Sequence, residues 1–178
     1  MTRPDRPTRP RRHEHDLRGP VTGFLTAQGY RVWADPDGRD YLDLVAARGD
    51  EVGLVELKIA DWKTVRAQGV VRRALADWVA VALPSDGLAR RLMDSTRGPV
   101  APRLGVWVVG ETSVVVRRPA EPLAPPPPGT PAAEARAGFR ALVHLALDGD
   151  LPDAIRWGGS ARRTGGGRSY RLDEFPSD

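Results

Sequence analysis

Apolar positions along the chain change their period several times, and each change marks an element. Between residues 14 and 28, Leu17, Val21, Phe24 and Leu25 recur at helical spacing, and Gly29 follows where a glycine stops a helix. Pro20 lies inside that pattern, so the helix begins near it or kinks there. Residues 30–33 read as a short strand and Asp35-Pro-Asp-Gly38 as a turn. Residues 40–47 and 52–59 read as two antiparallel strands joined by the tight turn Arg48-Gly-Asp-Glu51. A helix follows, capped by Asp61, and runs through Trp62, Val65, Val70 and Leu75 to about Asp77. The uninterrupted apolar run 78–83 suits a strand buried on both faces. Then come a helix over 88–96, a buried strand over 104–109 and an edge strand over 113–117. This order predicts an α/β sandwich whose core ends near Arg118.

The rest of the chain has a different texture. Residues 1–12 are rich in Pro and Arg and are expected to form a disordered basic arm. Residues 119–131 contain four consecutive prolines, 125–128, and read as a stiff, extended linker. Residues 132–147 carry Phe139, Leu142, Val143 and Leu145 at amphipathic spacing, and 158–169 are rich in Gly, Arg and Ser. Four regions are thus expected: the arm at 1–12, a core at 13–118, the linker at 119–131, and a helical and Gly/Arg-rich C-terminal extension at 132–178. Whether that extension packs on the core is not decided by the pattern.

Composition narrows the function. No cysteine is present, which removes disulfides, thiolate catalysis and Cys-type zinc sites. No segment approaches the roughly 20 apolar residues that span a bilayer, and no apolar stretch follows the basic N-terminus as in a secretory signal. A cytoplasmic protein without a membrane partner is expected. The net charge is +4. Arginines gather toward both ends, with Arg162, Arg163 and Arg168 in the Gly-rich tail, and such ends suit contact with a polyanion.

The basic residues number 27, yet only two are lysine. One of them, Lys58, ends the apolar run Gly-Leu-Val-Glu56-Leu-Lys58-Ile. Unlike guanidinium, an ammonium can shift its pKa and lose its proton, so a lysine here invites a chemical explanation. Glu56 and Lys58 are two apart and share one face of a strand. A hairpin that pairs Arg48 with Glu51 places Asp43 opposite Glu56 on that face. Two carboxylates so close repel unless a cation lies between them, and a lysine beside them can position or activate a water. The other lysine, in Asp61-Trp-Lys63, has the same spacing but no strand around it, and Asp61 serves better as a helix cap.

These residues resemble the PD-(D/E)XK nuclease superfamily, the restriction-endonuclease-like fold, in its small bacterial members. The resemblance rests on Tyr41-Leu-Asp43-Leu-Val, on Glu56-Leu-Lys58 thirteen residues later, and on the helix and strand that follow. It covers about residues 14–118. The proline of the motif's name is missing, since Leu42 precedes Asp43. The resemblance implies an α-β-β-β-α-β core with a mixed central sheet flanked by helices. It further implies Mg²⁺ (or Mn²⁺) held by Asp43 and Glu56 with Glu14 from the first helix, Lys58 acting on the attacking water, and Gln68 near the metal or the phosphate. DNA is the implied substrate, with RNA as the variant, and members of the fold that cut both strands make a homodimer a natural assembly. A non-catalytic nucleic-acid-binding or assembly module with the same fold is the alternative, and an adaptor using the Pro-rich segment and C-terminal helix is a third reading.

Overall fold

The computed structural model describes residues 13–34, 42–60, 72–95 and 104–149. Gln68, Lys63, Arg162, Arg163 and Arg168 lie outside the described residues, as do the basic arm and the Gly-rich tail.

A 3-10 turn, Glu14–Leu17, leads into helix α1, Arg18–Ala27. Pro20 sits in the first turn of α1, where backbone N–H groups have no intrahelical acceptor, so its missing donor costs nothing there. Strands β1 (Arg31–Ala34), β2 (Leu44–Arg48) and β3 (Glu51–Leu57) form an antiparallel meander. Strand β4 (Trp78–Leu83) lies parallel to β3, helix α2 (Asp86–Ser95) returns the chain, and β5 (Gly105–Val109) lies parallel to β4. Strand β6 (Val114–Arg118) closes the sheet antiparallel to β5, so six strands stand in chain order in one mixed sheet. Helix α3, Pro131–Asp148, follows. The fold is a mixed α/β sheet flanked by helices.

Each strand divides its residues between two cores, as the strand period requires. One face carries Val45, Ala47, Val52, Leu54, Val79, Val81 and Val106 and is covered by Ala89 and Leu92 of α2 and by Phe139 and Val143 of α3. The opposite face carries Leu44, Ala46, Val55, Leu57, Ala80, Ala82 and Trp107 against Leu17, Val21 and Leu25 of the N-terminal segment. β4 is buried at all six positions, as its unbroken apolar run implies. Gly53 matters on the second face, because a Cβ there would enter the ring of Trp78.

The β2–β3 hairpin has the expected register, with Arg48 paired to Glu51 and Leu44 to Val55. Gly49 has φ 56°, and no described non-glycine residue, Asp50 included, has a positive φ, which is the pattern of a type II′ turn with glycine first. Strand β2 begins later than the sequence pattern suggests. Asp43 lies in a bend just before it, and its Oδ2 accepts the Leu57 N–H at 2.8 Å where a continued ladder would present a backbone carbonyl. The helix expected to reach Asp77 gives way to a turn at 73–75. Asp77 is needed elsewhere: its Oδ2 accepts the Val52 N–H at 2.6 Å, and its own N–H donates to Val52 O at 2.7 Å.

The segment expected as a linker carries neither helix nor strand from 119 to 130, and it is tied down at Leu123 and at Ala124, whose carbonyl accepts from Arg136. The Leu123 N–H donates to Asp77 O at 2.7 Å, and Leu123 packs against the core. Thr130 caps α3 by accepting the Ala133 N–H at 3.3 Å, and Pro131 opens the helix. Arg136 and Arg140 of α3 both reach Asp77, at 2.6 and 3.1 Å, so this helix belongs to the same packed body as the sheet. Burial of Phe139 and Val143 stabilises that contact by about 2 kcal/mol each.

Candidate active site

Lys58 follows β3 directly, and its N–H donates to Ala82 O of β4 at 3.1 Å, which carries the parallel pairing one residue past the strand. That bond fixes the backbone from which the side chain projects at the carboxyl ends of β3 and β4. In open α/β sheets this is where ligands collect.

Three carboxylates surround the Lys58 ammonium. Glu56 Oε1 lies 2.9 Å from Nζ, Glu14 Oε1 3.6 Å and Asp43 Oδ2 3.8 Å. Each arrives by a different route. Glu56 shares the face of β3 with Val52 and Leu54, by the two-residue period. Asp43 reaches the site because the register sets it opposite Glu56, and its hydrogen bond to Leu57 N–H orients the carboxylate. Glu14 comes from the 3-10 turn, which fully buried Leu17 anchors to the opposite core.

Asp16 is not part of the cluster. Its Oδ2 accepts the His13 N–H at 2.7 Å, and its Oδ1 lies 3.0 Å from His15 Nε2. The capping role at this terminus thus falls to Asp16, and Glu14 is left to face Lys58. His13 and His15 stack on each other at 5.6 Å, and both are exposed.

Burial is graded across the group. Glu56 is 4% exposed, the Lys58 side chain 16% and the Glu14 side chain 42%, so the cluster opens to solvent on the Glu14 side. A fifth group closes it from within. Arg72 is 2% exposed, and its Nη1 pairs with Glu56 Oε2. Sequence reading missed Arg72, because one arginine among so many offers no contrast. Its one available signal was position: on a continuous helix it would stand four residues after Gln68 and share its face.

Among the described residues, no group of three His, Cys, Asp or Glu side chains forms an assembled metal cage. The carboxylates converge on the Lys58 ammonium. Trp78 and Trp107, 6.0 Å apart between ring centres, belong to the core on the face of the sheet opposite to Glu56.

Comparison with known proteins places the fold and leaves the chemistry to the site itself. No protein-family model matches the chain, and no curated protein matches it. Among solved structures, a protein of unknown function from Silicibacter pomeroyi is similar, at 16% sequence identity and a TM-score of 0.51 over 78% of this chain and 90% of that one. At this identity the similarity speaks for the fold alone. No helix among the described residues is long and apolar enough to cross a membrane.

Proposed function

We propose that this chain is a divalent-metal-dependent nuclease of the PD-(D/E)XK type, with a restriction-endonuclease-like core, that hydrolyses phosphodiester bonds in DNA. The observation that carries the reading is the convergence of Asp43, Glu56 and Glu14, from three separate elements, on a single lysine at the carboxyl ends of two parallel strands. The succession α1, β1, β2, β3 and β4 supports it, with the lysine immediately after β3.

The donor set suits a hard divalent cation, which takes carboxylate oxygens. Three carboxylates against two protein cations, Lys58 and Arg72, leave a formal charge of −1 that a bound cation would offset. Asp43 and Glu56 would hold it, with Glu14 at the exposed rim, and it would polarise a phosphoryl oxygen and lower the pKa of a bound water. Lys58 is placed to hydrogen-bond the attacking water and to face the charge that grows on the phosphate. Glu56 and Asp43 hold that ammonium in place, and the Leu57 N–H keeps Asp43 from turning away. Gln68 and the tail arginines Arg162, Arg163 and Arg168 belong to this proposal as contacts to the phosphate and the DNA backbone.

Cleavage of linear and supercoiled DNA in Mg²⁺ or Mn²⁺, followed for the wild type, Asp43→Ala and Lys58→Ala, tests the reading. Metal-dependent cutting that both substitutions abolish is expected, and undiminished cutting by both would overturn it.

One observation favours a second reading. Both oxygens of Glu56 already face protein cations, as in a site whose charges serve structure. A non-catalytic nucleic-acid-binding or assembly module would bind DNA with a steep salt dependence and show no cleavage with either metal.

A further inference from the structure

Glu56 is the most enclosed carboxylate of the cluster, and the two cations that hold it differ in kind. Lys58 faces Oε1 from the solvent side and is shared with Asp43 and Glu14. Arg72 faces Oε2 from the protein side and is more buried than any of its neighbours in the site. An ammonium can relieve repulsion from an incoming cation by losing a proton. A guanidinium cannot, and it must move.

Resting on the proposed role of Glu56 as a metal ligand, we infer that Arg72 is a displaceable counter-ion: it holds Oε2 while no divalent cation is bound and must release it when one binds. Arg72 is therefore a positioning residue that sets how much cation the site requires. The pair resolves two demands on one buried carboxylate. Without Arg72, Glu56 would stand in the core with too little positive charge beside it, a costly arrangement for a carboxylate of such low exposure. With Arg72 locked in place, the same carboxylate would not serve a metal. Because coupling between two ligands of one group is reciprocal, whatever strengthens the Arg72 contact weakens cation binding by the same factor.

The test is calorimetric titration of Mn²⁺ into the full chain as wild type, Arg72→Lys and Arg72→Gln, with thermal unfolding followed with and without the metal. Glutamine keeps an N–H donor for Oε2 and removes the charge; lysine keeps the charge but not the planar fork. Affinity should rise from wild type through Arg72→Lys to Arg72→Gln, by about tenfold across the series, within the usual range for coupled sites. The upward shift of Tm caused by Mn²⁺ should grow in the same order, while Tm without metal falls. Asp43→Asn serves as the control that the titrated site is this one, and should abolish binding. If Arg72→Gln does not fold, the comparison of wild type with Arg72→Lys decides the matter. Equal or weaker binding in the Arg72 variants overturns the counter-ion role and leaves the metal site standing. Absence of saturable binding in every form, wild type included, overturns the metal site and the counter-ion role together.

Discussion

The parallel pair β3–β4 carries a charged cluster at each end, and the two are built on opposite principles. At the amino ends, Asp77 is saturated: Oδ1 meets Arg136 at 2.6 Å and Arg140 at 3.1 Å, and Oδ2 takes the Val52 N–H at 2.6 Å. One carboxylate faces two guanidiniums that tie helix α3 to the sheet, and the Asp77 backbone oxygen takes the Leu123 N–H and so ties down the segment before that helix. At the carboxyl ends, roughly 15 Å away along strands that rise about 3.3 Å per residue, three carboxylates share one ammonium and one guanidinium. The first cluster has positive charge to spare and closes the structure. The second is short of it and opens to solvent, which is the condition of a site that binds something.

Loss of activity should be the largest effect that separates them. Asp43→Ala and Lys58→Ala are each expected to lower metal-dependent DNA cleavage by at least about 100-fold, the usual minimum for a group that acts on the attacking water or its metal. Far-UV circular dichroism should remain unchanged in both. Asp77→Asn should leave cleavage per folded molecule as it was. If Asp77→Asn instead removed cleavage at full stability, the division between a structural and a chemical end would fail.

Stability should show the reverse. Asp77→Ala leaves Arg136, which is almost fully buried, without its carboxylate, and strands the Val52 N–H. A loss of about 3 kcal/mol in urea unfolding is expected, typical of breaking one side of a buried pair. Mn²⁺ should recover none of it. The counter-ion role of Arg72 sharpens the contrast further: the same metal should raise the Tm of Arg72→Gln more than that of the wild type. A Tm response to Mn²⁺ in Asp77→Ala that exceeds the wild-type response would show that the two ends are not independent.

Much of the cluster around Lys58 was legible beforehand, and the reason is periodicity. Lys58 stood out because arginine supplies nearly every other positive charge, the strand period put Glu56 beside it, and a two-residue turn fixed Asp43 opposite Glu56. All three inferences use local geometry. Glu14 joins them through tertiary packing of the 3-10 turn, and the expectation for it came from resemblance and not from spacing. The structural end was not legible. Asp77 read as the end of a helix, and nothing local indicates that it will pair with Arg136, 59 residues away. Residues 119–131 read as a stiff, extended linker, and only the bond from Leu123 to Asp77 shows that this segment is pinned to the sheet.

The smallest predicted effect concerns a third pair that resembles both clusters on paper. Asp86, at the start of α2, accepts from Arg117 of β6 through both oxygens, at 2.7 and 2.9 Å, and both side chains are exposed. The hydrogen bond from Arg117 holds the Asp86 carboxyl below its usual value of 3.8, aided by the charges of Arg117 and Arg90. A depressed folded-state pKa stabilises the protein above the unfolded value and loses that contribution as pH falls through the folded one. Asp86→Asn should therefore lower stability slightly above about pH 4, and the difference from wild type should vanish in more acid solution. Because the pair is exposed, 1 M salt should erase the difference at pH 7 as well, whereas the effect of Asp77→Ala should persist there. Urea unfolding of both variants at low and high salt checks this. A salt-resistant Asp86→Asn effect would mean that bidentate geometry and not burial decides which ion pairs hold this sheet together.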